Sequence, residues 1–477
     1  MTMGHAAPGA SHGLTRRLAE ALTNLRAPDI PAEALDAAAL SLVDHLGVTL
    51  AASGLGEGGP AIAELVRAEG GAPEATLLGC GGGRVPAAAA AYANGALAHA
   101  LDYEDSVDGL PVHPHAQVIP AVLALAEAHD SAGTATLAAI AVGCDLTCRI
   151  AAAAGTELSD HGWYPPPLAG ALGAAAACAY LLGTNARQLT DALSLVLMQV
   201  SAPGEIKYSP HSLIRGVRDG FAAHAAVRAA QLAVAGVRGF DAPLEGRAGF
   251  FATHTAGRYD RAALLDDLGT FFHGTRVSYK PWPSCRGTHA FVEAALEVRD
   301  LAPTAEIDDV HLVGAPVNTM LAEPAETKRA PATAIDAKFS LPFTVATALA
   351  TGHVGLDSFA PDALRAPDVL GLARRVRFTT DPTWDTAHRM TSGRLTVRLR
   401  DGRELHRRID VPLGNPDRPL STDALLAKFA DCAAVAAVPP PDPARLAADL
   451  RSLAGRSGVR TLMSRHFSPT PATAAQR

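Results

Sequence analysis

The densest chemistry in this chain lies in NGALAHALDYEDSVDGLPVHPHAQVIP, residues 94–120. There His99, Asp102, Glu104, Asp105, Asp108, His113 and His115 follow a run of small apolar residues. Imidazoles beside carboxylates move protons near neutral pH, because the ordinary imidazole pKa lies there. A helix read through Ser106 leaves Asp102 and Asp105 at its C-terminal end, where the helix dipole disfavours an acid and calls for a cationic or hydrogen-bonding partner. Gly109 and Pro111 then form a loop that carries His113 into a second helix. An ordinary polar interhelical loop competes with a catalytic one, since loops anchored between buried helices hold reactive groups well. His113-x-His115 has a chelating spacing but no third ligand at a recognisable distance, so no metal is expected.

Three further clusters carry polar groups. In GWYPPP, residues 162–167, prolines fix an extended entry and a helix start. Tyr164 there reads either as an acid or donor to a carboxylate or, with Trp163, as a plug at a core edge. In EIKYSPHSLIRGVRDG, residues 205–220, Lys207, His211, Arg215 and Arg218 can grip an anion. Arg218 reads equally as part of a solvated helix face, whereas Lys207 and Arg215 flank a Pro-containing turn. In SYKPWPSCRGTHAF, residues 278–291, Lys280, Cys285, Arg286 and His289 gather at a helix start, where the dipole favours carboxylates. Cys285 is either an activated thiol or a space-filling one.

The elements that must position these groups are mostly helices. From Thr15 to about Asp267 the apolar residues recur at three-to-four spacing, in segments such as AEALDAAALSLVDHLGVTLAA and TATLAAIAVGCDLTCRIAAAA, separated by short Gly, Pro and Asn turns. No strand pattern is visible there. Near Phe272 the character changes. Residues 307–316, 376–380 and 395–410 read as strands, the last with an Asp401-Gly402 hairpin turn, and helices intervene. The predicted fold is mainly α: a helical domain over 1–271, a smaller α+β domain over 272–412, C-terminal helices over 413–465 that return to the first domain, and a frayed tail at 466–477.

Composition bounds the function. The chain has 477 residues, long enough for two cores, and 48% hydrophobic residues but only 5% aromatic ones, so small side chains should bring helices close together. Its net charge of -7 (41 basic against 48 acidic residues) argues against a nucleic-acid or anionic-membrane partner. Six scattered cysteines without a CxxC pair suit buried thiols in a reducing, cytoplasmic setting. MTMGHAAPGASHG lacks the pattern of a signal peptide, and the alanine-rich stretches are broken by charge, Gly or Pro before spanning length. GLGEGG (54–59) follows a helix rather than a strand, GASHG (9–13) lies in a polar arm, and no phosphate-binding GxxxxGK[ST] occurs. No nucleotide or other cofactor is expected.

Taken together, NGALAHALDYEDS with HPHAQVIPAVLALAE, GWYPPPLAGALGAAAACAYLLG, KPWPSCRGTHAFVEAAL and AKFSLPFTVATAL resemble the MmgE/PrpD family in order and spacing, over most of the chain. The family includes dehydratases, decarboxylases and epimerases of carboxylic acids. The resemblance implies a large all-helical domain built from both chain ends, a smaller α+β lid domain, a homodimer and a cofactor-free site between the domains. It carries the family's aspartate to Asp102, its Ser/Thr to Ser106, its HP histidine to His113, and its lysines to Lys207 and Lys280, with His289 following. The chain departs from the pattern at Tyr164, where members commonly have histidine. It departs again at Cys285, where the decarboxylase has histidine, and at Phe343, where tyrosine is common.

The expected activity is proton transfer at a carbon α to a carboxylate or carbonyl of a small anionic substrate, by a lyase or epimerase. His113 would be the base or acid, Asp102 would orient it, and Tyr164 would supply a second proton. Lys280, Lys207 and Arg286 would stabilise enolate-like charge, with Ser106, Arg215, Cys285, His289 and Phe343 around the substrate. A catalytically reduced member that only binds an acidic metabolite is the alternative raised by Tyr164 and Phe343, and a histidine-based metallohydrolase is the third.

Overall fold

Helix follows helix through the first half of the chain. The order is α1 (Leu14–Asn24), α2 (Ala32–Leu55), α3 (Gly59–Glu69), α4 (Ala87–Ala98), α5 (Pro114–His129), α6 (Gly133–Ala154), the single turn α7 (Glu157–Asp160), α8 (Pro165–Leu181), α9 (Ala186–Leu197) and α10 (Ile214–Val234), with short α11 (Phe250–His254) and α12 (Arg261–Leu265) after them. This computed structural model describes residues 13–209, 212–384 and 391–467. The chain divides into two units. The larger takes the residues up to Ala100, then Pro111–Thr275, and the chain from Leu426 on; the smaller takes Leu101–Leu110 and Arg276–Leu425.

Within the larger unit, α1 buries one stripe, Leu14, Leu18, Ala19 and Leu22, as an outer helix does. By contrast α5, α6 and α8 are buried nearly all round, which only an interior helix tolerates. Their starts follow local rules. Pro114 and Pro165 occupy first-turn positions where no intrahelical N–H is lost. Asn185 caps α9 by accepting from the Gln188 backbone at 3.0 Å, while the Gln188 side chain accepts from the Asn185 backbone. Small residues bring α6 and α8 together: a Cβ added at Gly173 would lie 2.5 Å from the Gly143 carbonyl oxygen, so a larger residue there would force the helices apart.

Two expectations need correction here. α2 and α6 are long and apolar enough to cross a bilayer by length and composition, rather than interrupted short of it, but both are mostly buried inside the protein. Their buried charges do not break them because they are paired: Asp44 with Lys428 at 2.7 Å, and Asp145 with Arg149 at 2.6 Å. The helical half also contains a small antiparallel ladder, β1 (Ala75–Thr76) on β2 (Arg84–Val85). Strands of two residues are too short to show an alternating pattern.

The smaller unit is built on a four-stranded sheet of β3 (Ile307–Gly314), β4 (Val376–Thr380), β5 (Gly393–Leu399) and β6 (Glu404–Ile409), in the order β4-β3-β5-β6. β3 and β4 run parallel, with Val310 opposite Val376; the other pairs are antiparallel. An irregularity between Ile307 and Asp309 lets Ile307 and Val310 both face inward despite their odd spacing. Helices α13 (His289–Val298), α14 (Ala325–Arg329), α15 (Ala334–Lys338), α16 (Leu341–Thr351) and α17 (Pro367–Ala373) belong to this unit. Phe291, Leu341, Phe343 and Leu349 from α13 and α16 share a core with Val310, Leu312, Leu395 and Val397 of the sheet.

The divisions at 271 and 412 read from sequence differ from those observed. Residues 413–425 go with the smaller unit because the Leu413 backbone and Arg418 both donate to Glu293 of α13, at 2.8 and 2.7 Å. Leu101–Leu110 joins it through a backbone pair in which Ser106 and Ser278 exchange hydrogen bonds of 3.0 and 2.7 Å. Residues 466 and 467 end the helix Val459–Phe467 rather than begin a tail; the chain from 468, like His211, lies outside the described residues.

Candidate functional site

In the smaller unit the central feature is an ion pair. Lys280 Nζ donates to Asp102 Oδ1 at 2.7 Å and to the Asp102 carbonyl at 2.9 Å. Both side chains are sealed from solvent, at 0% and 1% exposure. Burial alone would push this ammonium down, but Asp102 and Glu104 more than offset that and hold it above the usual lysine range. Asp102 does not end a helix, as the sequence reading had it. α4 stops at Ala98 with His99 as its cap, and Asp102 sits in the left-handed region at φ 49°. The macrodipole argument therefore does not apply, and the partner that the acid needs is Lys280.

A second pair lies in the same unit. The Arg286 guanidinium meets Asp108 through both branches, at 2.9 and 3.0 Å, and donates to the Leu413 carbonyl at 2.8 Å. Asn415 adds a bond to Asp108 at 2.7 Å. His289 faces Arg286 through Nδ1 at 3.2 Å and the Ser284 carbonyl through Nε2 at 3.1 Å, which suits the neutral tautomer with its proton on Nε2. So Arg286, with His289 against it, ties residues 101–110 and 412–413 into this unit. Arg286 lies in the 3-10 turn Arg286–Thr288, which leads directly into α13 at His289. Cys285, buried, and Phe343, fully buried, belong to the apolar core of the unit.

In the larger unit, His113 is the residue just before α5, followed by Pro114, so it stands at the end of the helix that favours anions. Its ring lies 5.1 Å from that of His99. His99 in turn reaches Asp219 Oδ2 at 4.0 Å, and Gln117 donates to Asp219 Oδ1 at 2.5 Å. His99, Gln117 and Asp219 are all buried. This row was not assigned from sequence. Its one visible signal was an acid, Asp219, between Arg218 and Gly220 in the early turns of α10.

Tyr164 is the residue before α8, held by its backbone N–H to the Ala202 carbonyl at 2.8 Å. Its ring has Lys207 Nζ 5.6 Å and the Arg218 guanidinium carbon 5.0 Å from its centre. Burial, and after it the Arg215 guanidinium, hold the Lys207 ammonium below the usual lysine range. Trp163, by contrast, packs on His254 with ring centres 4.6 Å apart. The two sequence readings of GWY thus divide: Trp163 fills space and Tyr164 sits among cations. Arg218 is no solvated helix residue, being 3% exposed with its Nη1 on the Arg215 carbonyl at 2.5 Å. The structure therefore gathers Asp102, Ser106, Lys280, Cys285, Arg286, His289 and Phe343 in one unit, and His113, Tyr164, Lys207 and Arg215 in the other.

The sequence matches a known family. The chain matches the MmgE/PrpD N-terminal domain over residues 16–262 and the MmgE/PrpD C-terminal domain over residues 282–449. A cis-aconitate decarboxylase of Aspergillus terreus is 25% identical over 90% of this chain and 91% of its own length. A cis-aconitate decarboxylase-like protein of Aspergillus oryzae is 25% identical over 87% and 89%. The human cis-aconitate decarboxylase is 27% identical over 72% of each chain. With both family domains matched in order along it, this chain belongs to the MmgE/PrpD family, as an enzyme of lyase type.

Proposed function

We propose that this protein acts without a cofactor on a small carboxylic acid, moving a proton at the carbon α to a carboxylate or carbonyl, in a dehydration, decarboxylation or epimerisation. The buried Lys280–Asp102 pair is the observation that carries this reading. An α proton is weakly acidic, and its removal builds negative charge that must be stabilised where water cannot do it. A lysine kept cationic in a dry site is a preorganised donor for that charge. His113, before α5, serves as base or acid, with His99 packed on it. Lys207 has an ammonium moved toward its neutral form, the direction needed for a group that gives or takes a proton, and Tyr164 beside it is a second donor. Arg286 has a different part in this proposal: it holds the segment bearing Asp102 through Asp108.

The proposed working form is a homodimer in the cytoplasm. In support, Leu232, Val234, Val237 and Phe240, at and beyond the C-terminal end of α10, expose a cluster of large apolar side chains. The cysteines are unbonded thiols, which suits a reducing compartment.

The test is a panel of di- and tricarboxylic acids, cis-aconitate included, incubated with the protein in D2O and followed by proton NMR. Product or α-deuterium incorporation is expected with the wild type. It should be lost in His113→Ala, with melting unchanged. Ligand-induced thermal shifts without product or exchange would replace the reading with that of a binding protein. Near-normal turnover by His113→Ala would remove His113 from its role.

A further inference from the structure

Of the 41 basic residues in the chain only five are lysines: Lys207, Lys280, Lys328, Lys338 and Lys428. The other 36 (41 minus 5) are arginines, which keep their charge inside a protein. An amine that can lose its proton and act as a nucleophile is therefore scarce here. Four of the lysines have fixed partners. Lys280 donates to Asp102 at 2.7 Å, Lys328 to the Phe339 carbonyl at 2.8 Å and Lys338 to the Pro283 carbonyl at 3.0 Å, while Lys428 is paired with Asp44 at 2.7 Å. Among the described residues, Lys207 is the one lysine in no hydrogen bond or ion pair, and its Nζ faces the Tyr164 ring at 5.6 Å from its centre.

Lys207 ends the 3-10 turn Gly204–Lys207, and that turn is clamped to the segment that carries Tyr164. Gly204 donates to the Gly162 carbonyl at 2.7 Å, and Tyr164 donates to the Ala202 carbonyl at 2.8 Å. A Cβ on Gly204 would lie 2.8 Å from that Gly162 oxygen, so the close approach needs glycine. The amine and the ring are thus held together through the backbone. Next to them is a cavity of about 480 Å³, within the size range of small-molecule sites. Ile206 of the same turn lines it, and so does Arg218, whose guanidinium carbon lies 5.0 Å from the centre of the same Tyr164 ring. Burial, and after it the Arg215 guanidinium, move the Lys207 ammonium toward its neutral form. Desolvation and a neighbouring cation are the two ways in which a lysine is activated as a nucleophile.

We propose that Lys207 is a nucleophilic amine that captures the carbonyl of a 3-oxo carboxylic acid as an imine beside Tyr164. The amine lone pair forms a C–N bond while the carbonyl pair moves to oxygen. One N–H proton passes to that oxygen, a second proton is taken up, and the oxygen leaves as water, which gives a protonated imine. This cation accepts the electron pair of the bond that joins the next carbon to hydrogen or to the carboxylate. A proton or carbon dioxide is released and an enamine remains. Protonation at carbon and addition of water return the amine and the product. A 3-oxo acid suits the site's proposed chemistry because the carbon between its two groups is α to both. The substrate class rests on the proton-transfer reading above; the imine-forming amine does not.

Trapping with acetoacetate and sodium cyanoborohydride tests it on the full-length protein. Hydride converts the imine carbon to a stable secondary amine, so intact mass spectrometry should show one adduct and peptide mapping should place it on Lys207. Butyrate, which has no carbonyl, should give none. Lys207→Arg keeps the positive charge and should lose the label while its melting temperature stays unchanged. Because the wild-type adduct is mapped directly, the result does not depend on how the variant folds. No adduct on the wild type, an adduct on other lysines only, or equal labelling of Lys207→Arg would overturn the proposal. Labelling of Lys207 with no product or deuterium exchange from any acid in D2O would remove the proton-transfer reading and keep the imine site. Product or exchange from polyacids by a protein that takes no label would overturn the imine and leave proton transfer standing.

Discussion

The sharpest consequence of the structure concerns Lys280→Met. The substitution keeps the apolar stem and removes the ammonium whose charge interacts with Asp102 and Glu104, both of which are essentially sealed from solvent. Breaking a buried pair from one side costs about 3–5 kcal/mol, roughly a hundred- to several-thousand-fold in the folding equilibrium. Asp102→Asn with Lys280→Met removes both charges and should recover a large part of that loss, giving a coupling above about 1 kcal/mol. The pH dependence has a definite sign. In the wild type the Lys280 pKa is raised, so its contribution is fully present below the unfolded lysine value and is lost as pH rises through the folded one. In the single variant, burial disfavours the charged form of the carboxyls that faced Lys280. The folded state then binds more protons than the unfolded one, and the variant gains stability as pH falls from 7 to 5. Urea denaturation of wild type, single and double variants at pH 5 and 7 measures all of this. A deficit under about 1 kcal/mol at pH 7, one that does not shrink at pH 5, or a double variant no better than the single would refute the reasoning.

Arg286→Lys should destabilise the smaller unit by about 2 kcal/mol, because one ammonium cannot replace the two-branched contact with Asp108 and also reach the Leu413 carbonyl; urea denaturation reads it, and a loss below about 0.5 kcal/mol would count against the assignment. Lys207→Met should lower turnover at least tenfold while leaving melting at pH 7 unchanged or higher. Since the folded Lys207 pKa lies below the unfolded one, wild-type stability rises with pH between the two values; the variant lacks that rise, so melting scans at pH 7 and 9.5 separate them.

Much of the architecture was legible in order along the chain. Periodicity gave the helical first half, and alternation with the Asp401-Gly402 turn gave β5 and β6, because those signals are local and follow from which face each side chain must bury. The polar groups were legible as residue types: Asp102, His113, Tyr164, Lys207 and Lys280 could be picked out by chemistry and by family resemblance. Their partners could not. Lys280 is 178 residues from Asp102, and Gln117 is 102 from Asp219, so no spacing rule links them. Arg286 reads like a substrate ligand until the carbonyl of Leu413 and the carboxylate of Asp108 are seen on it. The end of α4 at Ala98 was equally hidden, since the following residues can continue a helix and leave it because tertiary hydrogen bonds to Ser278 and Lys280 claim them. Sequence by itself fixed which groups are available and which helices carry them. Tertiary structure decided which charges neutralise one another inside the protein and which remain to meet a substrate, because that choice depends on contacts between residues far apart in the chain.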